Sequence, residues 1–191
     1  MTSLERAANL ERGKFSHRPR NEPRFFGGTH PWIQIEEIEK STKYIRSWSQ
    51  TLNDEGLAIS RKFRNGTLLV SIAATIGAVG ILGFDCCVPD SIVAVTPSTG
   101  FDSEYLYHCL CYLRGHLEDL APQTAQENIN LRILAPLPVP VLPLADQRRI
   151  VAYLDGLQAK VDAVARLQAE TAAELDALLP SILDRAFKGD L

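Results

Sequence analysis

The stretch Ala135-Pro136-Leu137-Pro138-Val139-Pro140-Val141-Leu142-Pro143-Leu144-Ala145-Asp146-Gln147-Arg148-Arg149-Ile150 decides how this chain is organised. Four prolines within the eight residues Pro136 to Pro143 remove backbone donors and fix φ, which forbids a helix interior and a central strand. Residues 136–143 therefore read as a stiff, extended connector. From Leu144 to Phe187 the pattern changes. Apolar residues recur at Ile150, Leu154, Leu157, Val161, Val164, Leu175, Leu178 and Ile182 in alternating steps of four and three, interrupted only at Gln168 and Thr171. That spacing is the seam of a helix that lies along another helix. Asp146 places a carboxylate at the amino-terminal end, where it suits the helix dipole. Pro180 is expected to kink or break the last turns, ending the regular part near Leu179, and Gly189 after Lys188 is a stop signal. A helix of about 42 residues at ~1.5 Å each is a rod on the order of 60 Å long. Such a rod needs a partner.

Upstream, residues 1–135 read as one globular domain. Of the 191 residues, 46% are hydrophobic, enough for a real core and too many for a disordered chain. Strands are expected at Trp32 to Ile35, Tyr44 to Ile45, Thr67 to Ile72, Ala78 to Leu82 and Ser91 to Val95. A helix is expected from Asp102 to Leu120, where Phe101, Tyr105, Leu106, Leu110, Leu113 and Leu117 share one face. Asn128 to Leu134 forms a second short segment, and Arg12 to Gly28, basic and interrupted by proline, reads as a loop. The fold class is α+β: a mixed, mostly antiparallel domain followed by a long α-helix. The apolar run Gly66 to Phe84 is punctuated by glycine, serine and threonine, so buried strands joined by a turn at Ile76-Gly77 explain it better than a membrane span.

Charge is distributed unevenly. Net charge is −3, yet residues 1–64 hold twelve Lys/Arg against eight Asp/Glu, whereas residues 65–143 hold two against seven. Cys86-Cys87 and Cys109-x-Cys111 match neither a redox nor a zinc spacing and read as buried, reduced thiols. His17, His30, His108 and His116 form no metal-ligand pattern. Gly77-x-x-Gly80-x-x-Gly83 is not a dinucleotide fingerprint, and no P-loop is present. No secretory signal opens the chain, so a cytoplasmic location is expected.

In their order along the chain, several short motifs resemble one family. They are the loop His17-Arg18-Pro19-Arg20-Asn21-Glu22-Pro23, Gly66-Thr67-Leu68-Leu69-Val70-Ser71, Ala74-Thr75-Ile76-Gly77 and Gln123-Thr124-Ala125-Gln126-Glu127-Asn128-Ile129-Asn130. Leu137 to Ile150 and the tail Ala186-Phe187-Lys188-Gly189-Asp190-Leu191 complete the set. Together they resemble the specificity subunit of type I restriction-modification systems, in a half-length form with one target-recognition domain and one spacer helix. The resemblance implies a DNA target-recognition domain at 1–135, a Pro-rich connector at 136–143 and a spacer and dimerisation helix at 144–191. It implies double-stranded DNA as ligand and, as partners, methyltransferase subunits that methylate adenine N6, which motor-nuclease subunits can join. S-adenosylmethionine, ATP and Mg are then expected on those partners, and no cofactor, metal or catalytic residue in this chain. Family members usually carry two domains and two antiparallel helices. The chain can accordingly pair with itself, pair with another half subunit or be a truncated remnant; half-length relatives favour a homodimer with an antiparallel coiled coil and a bipartite, palindromic site. Its seam is Ile150, Leu154, Leu157, Val161, Val164, Leu175 and Leu178.

Reading DNA takes cations on phosphates and fork-like donors on base edges. Lys14, His17, Arg18, Arg20 and Arg24 form one candidate cluster, and Arg18 or Arg20 can serve either purpose. Arg61, Lys62 and Arg64 form a second. For both, a solvated basic surface is the alternative. Gln123, Thr124, Gln126, Asn128 and Asn130 can pair with adenine, or equally build a turn or cap. Gly27, Gly28 and Thr29 suit close approach to phosphate or a plain turn. The competing function is a helical protein-protein adaptor without sequence-specific DNA binding. A stand-alone methyltransferase or nuclease lacks its motifs.

Overall fold

A computed structural model describes residues 1–120 and 130–189. They form two compact units, Met1–Arg148 and Arg149–Leu191. The first unit opens with β1 (Thr2–Ser3), α1 (Leu4–Ala7) and β2 (Ala8–Arg12), followed by the basic segment and one 3-10 turn at Pro23–Phe25. Then come β3 (Phe26–Trp32), α2 (Ile35–Lys40), β4 (Tyr44–Ile45), β5 (Gln50–Leu52), α3 (Asp54–Ala58), β6 (Lys62–Phe63) and β7 (Leu68–Ser71). The remainder is β8 (Val79–Leu82), β9 (Cys86–Cys87), β10 (Ile92–Pro97), α4 (Ser103–Leu120), α5 (Leu131–Leu134), β11 (Pro138–Val139) and α6 (Leu144–Lys188).

Two sheets carry the unit. Five strands run in the order β2-β10-β7-β8-β4 and four in the order β5-β3-β9-β6. All neighbours are antiparallel except β4 with β8 and β3 with β9. The central strands β7 and β8 are buried along their whole length, as continuous apolar runs must be when both faces are covered. Their turn closes at Gly77, whose φ of +73° suits a residue without a Cβ. One core gathers Ile33, Ile38, Ile45, Leu69, Leu82 and Ile92. A second, under the basic segment, gathers Phe15, Phe25, Trp32, Leu52 and Cys87.

Several sequence expectations change. The strand expected at Trp32 to Ile35 lies earlier, because Gln34 closes a capping box: its backbone N–H donates to Glu37 Oε2 at 2.9 Å and starts α2 instead. Gly28, read as the end of a loop, belongs to β3, which shifts register against β5 between Phe26 and His30. A Cβ on Gly28 would stand 2.4 Å from Asn53 Cα, so the close approach this glycine permits is to the chain's own backbone rather than to a phosphate. Cys86 and Cys87 are buried, and burial pushes their thiols up, whereas Cys111 is exposed on α4.

The Pro-rich segment is extended but not free. Pro138 and Val139 pair with Ser3 and Thr2 in a two-stranded ladder, and Leu137 and Val139 are buried. Tyr105 Oη donates to the Pro140 carbonyl at 3.2 Å. Gln147 is fully buried: its amide donates to the Gly100 and Leu142 carbonyls, both at 2.8 Å, and its carbonyl accepts the Asp102 N–H at 2.9 Å. That triple contact explains why an amide stands at this position.

α6 is one continuous helix of 45 residues that passes through Pro180. The expected end near Leu179 is wrong because proline deletes one donor to the carbonyl four residues back while flanking bonds hold the register. The chain leaves the helix at Gly189, with φ +77°. Among the described residues, no helix is long and apolar enough to cross a membrane.

Candidate nucleic-acid interface

The basic segment is pinned before it reaches its arginines. Gly13 N–H donates to Ile92 O at 2.8 Å, and Lys14 N–H to Val88 O at 3.1 Å. A Cβ on Gly13 would meet the Pro89 carbonyl at 2.1 Å, so only glycine lets these two segments lie so close. The Phe15 ring then enters the second core, stacking edge-on to Phe25 at 5.8 Å between centroids.

This contact brings Asp90 beneath three arginines. Arg12 Nε donates to its backbone carbonyl, Arg18 Nη2 to Oδ2 at 2.8 Å and Arg20 Nη2 to Oδ1. Arg18 is further committed, because Nη1 donates to the Phe15 and His17 carbonyls at 2.6 and 2.8 Å. The Arg24 guanidinium lies 4.5 Å above the Phe25 ring, and the His17 ring sits 4.8 Å from the same centroid. Lys14 is exposed and makes no ion pair among the described residues. The first cluster is thus assembled in space. One carboxylate against two guanidiniums leaves the patch cationic.

The second cluster is largely neutralised. Arg61 Nη1 lies 3.1 Å from Glu11 Oε1 and Lys62 Nζ 3.7 Å from Asp85 Oδ2. Arg64 is exposed and makes no ion pair among the described residues. Gln123, Thr124, Gln126 and Asn128 lie outside the described residues. Their neighbour Asn130 caps α5, its side chain accepting the Arg132 N–H at 2.9 Å.

Beside the first cluster opens a cleft of about 670 Å³ that sequence reasoning did not anticipate. Arg20 and Asn21 line it together with Gln34 and Gln50, over apolar walls that include Phe26 and Trp32. Gln34 Nε2 donates to Gln50 Oε1 at 3.0 Å, which leaves donors and an acceptor on the amide pair. A smaller hollow of about 320 Å³ is lined by Arg12, Ile72, Asn130, Leu131 and Arg132. Asp90, Gln34, Gln50, Arg12 and Arg132 were all missed, because they come from five separate segments. The legible signal was Asp90 itself, a lone carboxylate inside the apolar run Cys86 to Val95.

Among the described residues, no group of three or more His, Cys, Asp or Glu could hold a metal ion. In the second unit the seam is bare: Leu157 is 40% exposed, Val161 61%, Val164 55%, Leu175 60% and Leu178 51%. Ile150 and Leu154 are half-buried.

Comparisons agree with this architecture. The family model described as the type I restriction modification DNA specificity domain matches residues 12–171. The EcoDI specificity subunit of a type I restriction enzyme from Escherichia coli is 26% identical over 166 residues, 81% of this chain and 36% of that protein. The EcoBI specificity subunit, also from Escherichia coli, is 26% identical over 135 residues, covering 68% and 28%. Among solved structures, a chain of a type I restriction-modification complex superposes with a TM-score of 0.80 at 29% identity, over 100% of this chain and 46% of that one. The HsdS subunit from Thermoanaerobacter tengcongensis does so with 0.67 at 30%, over 100% and 45%. The chain therefore spans about a third of the EcoDI and EcoBI proteins and just under half of these structures. On a family model that covers most of its length, this chain belongs to the type I restriction-modification DNA specificity domain family.

Proposed function

We propose that the first unit reads double-stranded DNA and that α6 sets the distance to a second reading unit, so that the pair recognises a bipartite site. Lys14, His17, Arg24 and Arg64, with Arg12 and Arg132, take phosphates. Gln34, Gln50, Arg20 and Asn21 face base edges. The observation that carries this reading is the cleft beside the Asp90 cluster, where amide and guanidinium groups from separate segments meet. Amides and guanidiniums are the side chains that match adenine and guanine edges. Methyltransferase subunits acting on adenine N6 are the partners, with motor-nuclease subunits in a restricting assembly. S-adenosylmethionine, ATP and Mg belong to those subunits, and the working location is the cytoplasm.

The seam of α6 pairs antiparallel with a second copy. Five exposed apolar side chains repeating along one stripe fit a coiled-coil contact, and the polar steps Gln168 and Thr171 fix its register. The test is a gel shift of the full chain against random duplexes across a salt series. The expected result is selective retention with a log–log salt slope of about −0.9 per phosphate contact. A protein-protein adaptor would show neither retention nor slope, and that outcome overturns the reading.

A further inference from the structure

We infer that Arg20 reads a guanine edge at the mouth of the cleft and that Asp90 is the residue that positions it. The inference rests on the DNA-reading function proposed above and divides labour between two arginines that the sequence leaves equivalent.

Arginine carries five N–H donors in a rigid fork. Arg18 spends three of them inside the protein, two on the carbonyls of its own segment and one on Asp90. It braces the loop. Arg20 spends a donor on Asp90 alone among the described residues, and it is Arg20, not Arg18, that lines the cleft. The remaining donors of its fork can meet the O6 and N7 acceptors that guanine presents in the major groove.

Asp90 is suited to hold that fork still. Pro89 precedes it, Arg12 ties down its carbonyl, and the Gly13 contact fixes the segment it stands on. A braced guanidinium loses less rotamer freedom on binding than one waving in solvent. The carboxylate also repels a phosphate oxygen approaching the same spot. Arg20 is thereby biased away from the backbone and toward an uncharged base edge.

The experiment is a binding-site selection by the full chain on duplexes with a randomised centre, repeated with variants and read beside thermal melts. The intact chain should select a site containing a fixed G·C pair. Arg20→Ala should relax that position alone, with discrimination there falling roughly 5- to 150-fold. Arg20→Lys, which keeps the charge but not the fork, should bind random DNA as before and lose the guanine. Asp90→Asn should relax the same position and Asp90→Glu restore part of it, a rescue that a merely structural carboxylate would not give. Arg18→Ala should lower the melting temperature and leave the selected bases unchanged.

Uniform weakening of all sequences by Arg20→Ala, with a salt slope shallower by about one, would put Arg20 on a phosphate and overturn the inference. An unchanged selected sequence in Asp90→Asn overturns the positioning role. Should Asp90→Asn unfold, Arg20→Lys and Asp90→Glu decide the matter by the same readouts. An intact chain that selects nothing overturns the DNA-reading function, and this inference with it.

Discussion

Val70 and Val161 are the same residue in opposite circumstances. Val70 has no exposed surface at the centre of a five-stranded sheet, while Val161 is 61% exposed on α6. The same contrast separates Leu69 from Leu175. Fully burying a side chain of this size is worth about 1.5–3 kcal/mol. The first unit collects that energy within its own chain. The stripe on the second unit collects it only when something covers it. A helix without a sheet beneath it still has an apolar period to satisfy.

The sharpest way to break the contrast is to charge the seam. Leu157→Asp with Val161→Asp puts two uncompensated carboxylates where the helices would meet, each costing about 3–5 kcal/mol. Self-association should be abolished in analytical ultracentrifugation, while the melting of the first unit stays unchanged. The reverse change acts on the other side. Leu69→Ala opens a cavity in the sheet and should lower stability in thermal melts by about 2–5 kcal/mol without altering oligomeric mass. Gln147→Ala strands two carbonyls and one N–H, and a loss of about 1–3 kcal/mol is expected.

The effect confined to alkaline pH comes from Tyr105. Burial holds its phenol up at about 12, against an ordinary value of 10, and the neutral form donates to Pro140. A raised value in the fold means that this stabilisation is complete below about pH 10 and is lost as pH rises toward 12. Tyr105→Phe should remove that step from a melt-versus-pH series.

How much was legible in the sequence follows from the same contrast. α6 was read because one local period recurred from Ile150 to Ile182, about nine turns, and α4, β7, β8 and β10 because their apolar patterns are long and clearly bounded. Of the short strands only β4 was read, from its apolar pair Tyr44-Ile45; β1, β5, β6, β9 and β11 were not, since they form only when a distant partner arrives. β3 was obscured by Gly27 and Gly28, whose loop chemistry was overruled by tertiary packing.

The candidate interface divides in the same way. The cluster from Lys14 to Arg24 was visible because it is contiguous. Its cleft was not, because Gln34, Gln50 and Asp90 meet Arg20 only through the fold. Arg61 and Lys62 looked free in the sequence because Glu11 and Asp85 are far away along it.

A reading unit that works as one of a pair held by α6 must be double in solution, and sedimentation equilibrium of the full chain over a wide range of concentration reads that mass. The intact chain should show a mass of twice 21.1 kDa, reverting to 21.1 kDa in the double aspartate variant. A mass of 21.1 kDa for the intact chain at every concentration would contradict it.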